Sequence, residues 1–273
     1  MTILEAILLG IIQGLTEFLP ISSSAHLVIV PYLLNWQIDP QINFAFDVLV
    51  QLGTLLAVIV YFWSDLLQII IGFVRALLAR RPFGTPEARL GWYLILATIP
   101  AGLAGLLVKD LVEAAFSSPQ VTAGFLFVTA ALLVVSERIG KRSRGLAEIA
   151  TRDALAMGLM QALSIFPGVS RSGSTIAGGL LSGLDRRAAA RFSFLMAIPI
   201  MLAAGLLAAL DLAEVPNFTS MLPVIAVGFI AAAVVGYLSI RWLLAFLQKH
   251  SLTVFAVYCA CAGGLVLIVS LLR

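Results

Sequence analysis

Gln13-Gly14-Leu15-Thr16-Glu17-Phe18-Leu19-Pro20-Ile21-Ser22-Ser23-Ser24-Ala25-His26 sets a polar tip between two apolar flanks, Ile3–Leu19 and Ala25–Leu34. A second stretch repeats the plan. Gln161-Ala162-Leu163-Ser164-Ile165-Phe166 runs into Pro167-Gly168-Val169-Ser170-Arg171-Ser172, between Ala154–Phe166 and Thr175–Leu184. Three of these four flanks are too short to cross a bilayer, since a helix rises only about 1.5 Å per residue against about 30 Å of hydrocarbon. Each pair therefore reads as a re-entrant helical hairpin, whose irregular tip must be buried in protein or line a wet cavity.

Working outward, six segments are apolar enough to span: roughly Phe44–Trp63, Leu90–Val108, Val121–Ser136, Phe192–Leu210, Met221–Ile240 and Leu252–Leu272. Composition agrees. Of 273 residues, 61% are hydrophobic and only 11% charged, where a soluble domain carries about 25% charge. Mean hydropathy is +1.07. The expected fold is an all-α integral membrane protein with six transmembrane helices and two re-entrant hairpins. Treating both hairpins as full crossings would give ten spans; the polar tips and short flanks argue against that version.

The basic residues divide by side. Arg75, Arg80, Arg81 and Arg89 share one loop. Arg138, Lys141, Arg142, Arg144 and Arg152 share the next. Arg186, Arg187 and Arg191 form a third group, and Arg241 and Lys249 a fourth. Lys109 and Arg273 fall on the other side, with Asp39, Asp110, Glu113, Asp211 and Glu214. By the positive-inside rule the larger set marks the cytoplasm and puts both termini outside. The net charge of +3, spread over short loops, is not the basic stripe that nucleic acid requires, so no nucleic-acid partner is expected. No removable signal peptide is read at the N-terminus. Cys259 and Cys261 are too close along a helix to share a face, and read as packing residues rather than a disulfide or zinc site.

The tips, and Leu96-Ala97-Thr98-Ile99-Pro100 beside Met196-Ala197-Ile198-Pro199, form an internal repeat. Repeat 1 covers about 1–137, a basic cytoplasmic linker 138–151, and repeat 2 about 152–273, all within one membrane domain. Each repeat holds one hairpin and three spans, so the second is inverted. Inverted repeats with broken helices place a polar site between them near mid-membrane; transporters share that architecture.

The tips supply the chemistry. Serines at restarting helices cap orphan N–H groups, and the same termini bind phosphate oxygens. Capping alone accounts for the serines but not for Arg171, whose charge costs about 2.5–3.5 kcal/mol at mid-membrane without a partner. A structural pair with Glu17 or a bidentate phosphate clamp would each satisfy it. Gln13 and Glu17 lie four apart on one helix face, as do Asp47 and Gln51 on the first span. With a diphosphate ligand, a carboxylate-held Mg²⁺ or Ca²⁺ would bridge oxygens; Asp47 also reads as a wetted helix end. His26 is one of two histidines and suits proton transfer or attack on phosphorus, or simply a structural hydrogen bond. His250, beside Lys249, reads as a solvated loop residue. No Gly-x4-Gly-Lys phosphate cradle is present.

The stretch Gln13 to His26 resembles the first signature of the undecaprenyl-diphosphate phosphatase (bacitracin-resistance) family. Pro167-Gly168-Val169-Ser170-Arg171-Ser172-Gly173-Ser174-Thr175 resembles its second. Phe46-Asp47-Val48-Leu49-Val50-Gln51-Leu52-Gly53 is similar to a further family segment. The resemblance spans essentially the whole chain. It implies hydrolysis of undecaprenyl diphosphate to undecaprenyl phosphate and inorganic phosphate in the bacterial plasma membrane. That step recycles the lipid carrier of cell-wall synthesis and protects against bacitracin.

It also implies a divalent cation. Gln13 stands where some relatives carry Glu, so metal binding would rest mainly on Glu17 and substrate oxygens. On this reading Glu17, Ser23, His26 and Arg171 are catalytic, with the order of Ser23 and His26 as nucleophile and proton carrier left open. Gln13, Ser22, Ser24, Ser170, Ser172 and Thr175 bind substrate, and Asp47 and Gln51 support them. The expected partners are the polyprenyl diphosphate and membrane lipids, with room for a homodimer. The site is expected to open to the outer side. A lipid-phosphate carrier or flippase is the rival.

Overall fold

A computed structural model describes residues 1–212 and 218–272 of the chain. Glu214 and Arg273, which the charge count assigns to the outer side, lie outside the described residues. So do the side chains of Lys109, Asp110, Glu113 and Asp211.

Among the described residues there are no strands, only helices: α1 Ile3–Phe18, α2 Ser23–Leu34, α3 Pro40–Tyr61, α4 Trp63–Leu78, α5 Pro86–Leu107, α6 Lys109–Phe116, α7 Pro119–Ile139, a single 3₁₀ turn Leu146–Glu148, α8 Thr151–Leu163, α9 Arg171–Leu181, α10 Arg186–Leu212, α11 Phe218–Phe246 and α12 Thr253–Leu272. Six are long and apolar enough to cross a membrane: Gln41–Tyr61, Pro86–Leu107, Pro119–Ile139, Arg186–Ala208, Met221–Phe246 and Thr253–Leu272. These are the six expected segments, and the protein is a multi-pass membrane protein. Their outward faces carry bare apolar side chains such as Leu106, Leu107 and Leu206, which lipid can cover and water cannot.

Several basic residues expected in loops lie in helices: Arg89, Arg138 and Arg152 fall within α5, α7 and α8, and Arg186, Arg187 and Arg191 within α10. Arg75 does not lie in a loop. It sits in the last turn of α4, a 16-residue helix that follows α3 after the joint at Phe62. The helix is amphipathic, with Asp65, Gln68 and Arg75 interrupting Leu67, Ile70, Ile71 and Val74, so neither a span nor a loop signal stands out in its sequence. Arg241 likewise belongs to α11, in its last turns.

Of the helices around the two breaks, α9 is buried over most of its length, whereas α1 and α8 keep apolar side chains such as Leu4, Leu8, Leu155 and Leu159 exposed. Helix α1 lies along α11, and α8 lies along α5. Close approach is paid for in side-chain volume at Gly14, where a Cβ would come within 2.8 Å of the Ala232 carbonyl oxygen. Small residues let helix backbones touch in this way inside membranes. The main core gathers Phe18, Phe62, Phe192 and Phe194 with Leu126, Leu133, Met157 and Ile176. A smaller one around Leu9, Phe46, Val50 and Ile225 seats the start of α1 against α3 and α11.

One end of the bundle is tied by ion pairs. The Glu137 carboxylate accepts from Arg142 Nη1 and from Arg186 Nε and Nη2, each at 2.7 Å, and from the Leu252 amide at 2.7 Å. Arg144 forks onto both oxygens of Asp153 at 2.8 Å and reaches the Ser182 carbonyl. These contacts gather the loops after α7 and α9 and before α12, so basic groups placed on one side by the charge count do share one end.

Candidate functional site

Helix α1 ends at Phe18 and α2 begins at Ser23. Ser22 caps α2 from a left-handed backbone, φ 70°, and its Oγ accepts from the Ala25 amide. Helix α9 restarts in the same manner: Ser170 is its N-cap and accepts from the Gly173 amide at 3.0 Å. The two breaks meet. The Gly168 amide donates to Ser22 Oγ at 3.2 Å, and Ser172 Oγ donates to the Leu19 carbonyl at 3.0 Å. Gly168 has φ +102°, and its carbonyl accepts from Thr129 Oγ1 at 2.8 Å. The Ser170 amide donates back to the same hydroxyl at 2.9 Å, fastening the second tip to α7.

Glu17 is the hub. Only 6% of it is exposed. Its Oε1 accepts from Arg171 Nη2 at 2.5 Å, and its Oε2 accepts from Ser23 Oγ at 2.5 Å and from Gln13 Nε2 at 3.0 Å. Arg171 is the first residue of α9, so the pair bridges the two tips across 154 positions of sequence. Of the two readings of Arg171, the pairing with Glu17 is made. It does not exhaust the guanidinium: Nη1 is buried with no partner among the described residues. The same holds for Gln13 Oε1. An unpaired donor and an unpaired acceptor buried beside one ion pair are costly, and both are the kind of group a phosphate or a cation would satisfy.

His26 stands one turn into α2. Its Nδ1 lies 2.7 Å from the Ser22 carbonyl oxygen, and its Nε2 lies 2.7 Å from the Tyr258 hydroxyl. A carbonyl can only accept, so Nδ1 carries the proton, and in the neutral ring Nε2 accepts from Tyr258. The imidazole and phenol rings lie nearly parallel, 12° apart with centroids at 5.6 Å. Ser23 and His26 are therefore not bonded to each other; Ser23 is bonded to Glu17. Ser24 and Ser22 share a hydrogen bond at 3.1 Å, as do Ser170 and Ser172 at 3.2 Å. Thr175 Oγ1 lies 2.6 Å from Ser193 Oγ and donates to the Arg171 carbonyl. Thr175 thus holds the start of α9, away from the Glu17 oxygens.

Asp47 and Gln51 do not join this cluster. Asp47 accepts from Asn43 at 3.2 Å and leaves Oδ1 buried without a partner among the described residues, while Gln51 is exposed. His250 is exposed, as expected, and stacks on Phe246. Cys259 is buried and Cys261 exposed, so the two do face different ways. Thr54, whose hydroxyl accepts from Gln13 Nε2 at 3.5 Å, was missed, as were Thr129, Ser193 and Tyr258. Each is a lone polar residue in an apolar span, and only its distant partner gives it meaning. The intramembrane position itself is the available signal.

Hard oxygen donors are present for a cation: the Glu17 carboxylate and the orphan Gln13 Oε1. Among the described residues no group of three or more His, Cys, Asp or Glu stands together. Such a pair suits Mg²⁺ or Ca²⁺ held jointly with substrate oxygens, and does not suit a site made by protein alone.

Comparison with known proteins points one way. The model of the family described as Bacitracin resistance protein BacA matches residues 6–265. A protein named undecaprenyl-diphosphatase from Myxococcus xanthus (strain DK1622) is 44% identical over 268 residues, 98% of this chain and 89% of that one. One of the same name from Thermomicrobium roseum is 44% identical over 276 residues, covering 98% of both chains. Another, from Methanosphaera stadtmanae, is 42% identical over 277 residues, again 98% of both.

Proposed function

Because the chain belongs to the bacitracin resistance protein BacA family, we propose that it hydrolyses undecaprenyl diphosphate to undecaprenyl phosphate and inorganic phosphate. Relatives that carry the name of that enzyme match nearly end to end. The observation that carries the reading in the structure is the buried Arg171–Glu17–Ser23 constellation at the junction of two broken helices. A hydroxyl, a base to take its proton and a guanidinium with one free arm are what phosphoryl transfer to serine requires. The rival carrier reading needs none of these together and has no support from the relatives.

In this mechanism Arg171 Nη1 and the amides at the starts of α2 and α9 hold the terminal phosphate. Ser23 Oγ attacks the terminal phosphorus and passes its proton to Glu17. The bridging P–O bond breaks, and undecaprenyl phosphate leaves with the bridging oxygen. Water then attacks the phosphoserine and gives its proton to His26 Nε2 as the Tyr258 hydroxyl turns away. The Ser23–phosphorus bond breaks, Ser23 takes back its proton from Glu17, inorganic phosphate leaves, and His26 returns its proton to water. Arg171 holds the Glu17 carboxylate in place between turnovers. Ser22, Ser24, Ser170 and Ser172 shape the phosphate-binding amides, Gln13 orients Glu17, and Thr175 holds α9. Asp47 and Gln51 support the substrate from outside this cluster. A divalent cation bound with substrate at Glu17 and Gln13 Oε1 would neutralise diphosphate charge.

We read α1–α2 and α8–α9 as re-entrant hairpins of an inverted repeat, 1–137 and 152–273 about the linker 138–151. At about 24, 20 and 16 Å, α1, α8 and α9 are shorter than the hydrocarbon core, and the halves exchange partners: α1 packs on α11, and α8 on α5. The basic end faces the cytoplasm, both termini lie outside and the site opens to the outer leaflet, where its lipid substrate is left by polymer synthesis. A homodimer is compatible with this arrangement but not needed, because one chain contains both tips.

The test is phosphate release from undecaprenyl diphosphate by purified protein, with and without a chelator, beside Glu17→Gln and Ser23→Ala. Release should need the divalent cation and be abolished in both variants. Full turnover in both, with the proteins monodisperse, would move the chemistry elsewhere.

A further inference from the structure

At the end of the bundle that carries the basic loops lies a cavity of about 410 Å³, within the range of about 300–1,000 Å³ usual for small-molecule sites, between α4, α5, the 3₁₀ turn and α10. None of the residues at the Glu17 site lines it. Its charged wall holds two guanidiniums, Arg89 and Arg191, and three carboxylates, Asp65, Glu87 and Glu148.

Part of that charge is already used. Arg191 Nη2 donates to Asp65 at 2.8 Å, and the guanidinium lies 5.7 Å from the centre of the Phe62 ring. The remainder is open. Arg191 Nε is buried with no acceptor among the described residues. Glu148 uses one oxygen on the Gly145 amide at 2.8 Å. The side chains of Glu87 and Arg89 make no hydrogen bond or ion pair among the described residues. A bare anion in this cavity would face three carboxylates, and a bare cation two guanidiniums. A group with both charges a few ångströms apart satisfies the open donors and the open acceptors at once.

The surroundings say where such a group would come from. Beside the cavity α4 presents Leu67, Ile70, Ile71 and Val74 outward, with Trp63 at its start. That is the pattern of a helix lying at the boundary between acyl chains and headgroups. We propose that the cavity binds the headgroup of a zwitterionic phospholipid bearing a primary ammonium, its phosphate diester on the guanidiniums of Arg191 and Arg89 and its ammonium on Glu87 and Glu148. The acyl chains then lie along α4.

The experiment uses the purified full chain in mild detergent and reads melting temperature against dihexanoyl phosphatidylethanolamine, phosphatidylcholine, phosphatidylglycerol and inorganic phosphate. The ethanolamine lipid should raise the melting temperature saturably. The choline lipid, which has no ammonium N–H to donate, and the anionic glycerol lipid should bind at least about tenfold more weakly, and phosphate should give no shift. Glu87→Gln with Arg89→Gln, at positions that are exposed or half-buried and outside the diphosphatase machinery, should weaken ethanolamine-lipid binding at least about tenfold with phosphate release unchanged. Equal shifts from the three lipids, binding of free phosphate instead, no saturable shift, or undiminished binding by the double variant would each overturn the assignment.

Discussion

Replacing Arg171 with Lys keeps the charge and removes the fork. In the structure one arm of the guanidinium, Nη2, is committed to Glu17 at 2.5 Å, while Nη1 is buried with no partner among the described residues. A lysine ammonium is a point charge and cannot reproduce two parallel, coplanar donors. It must serve either Glu17 or the incoming phosphate. The loss is then one charge-assisted hydrogen bond to the transferring group, about 1.5–3 kcal/mol. At about 1.36 kcal/mol per decade, turnover should fall about 10- to 150-fold. The folded state should survive, since Glu17 keeps a cation beside it and is not left as an unpaired buried charge. The assay is phosphate release from undecaprenyl diphosphate under saturating substrate, with melting temperature as the control for folding. Turnover within about twofold of the parent, with the protein intact, would refute the clamp and leave Arg171 as a structural partner of Glu17.

Three further outcomes are expected. Tyr258→Phe keeps the ring beside His26 but removes its O–H; turnover should fall about 2- to 10-fold, as expected for one neutral hydrogen bond, with a displaced pH profile and little change in KM, whereas an unaltered profile would detach Tyr258 from His26. Ser23→Cys, with Cys259 and Cys261 replaced by Ala, should react in intact cells with a membrane-impermeant thiol reagent and be protected by a substrate analogue; labelling only from the inner face would reverse the orientation. Asp153 is buried, which alone would raise its pKa, but the Arg144 fork and the Ala150 amide more than offset this and hold it below the ordinary value of 3.8. A depressed carboxylate adds stability that is present above its unfolded pKa and lost as pH falls through the folded one; Asp153→Asn should therefore melt below the parent at pH 7, with the gap closing below about pH 4, and a gap independent of pH would count against the ion pair.

Much of this protein was legible without coordinates. The six spans follow from apolar runs, because lipid demands about 20 apolar residues and an internally satisfied backbone wherever a chain crosses. Ser22 and Ser170 as helix starts follow from local chemistry: a proline or glycine break, then a hydroxyl able to cap. Gln13 and Glu17 on one face follow from helical period alone. Other features were not local. That Glu17 meets Arg171, and not a nearer charge, depends on two tips separated by more than 150 residues meeting in the bundle. That His26 belongs with Tyr258 on α12 rather than with Ser23 beside it, that Thr129 fastens the second tip, and that Asp47 stands apart are likewise decided by packing. The amphipathic α4 escaped because Asp65, Gln68 and Arg75 break its apolar run so that no span signal stands out, and its packing against α5 sets the cavity behind it. Sequence determines what each segment can bury; which buried groups then find one another is a matter of long-range geometry, and the site is made of those encounters.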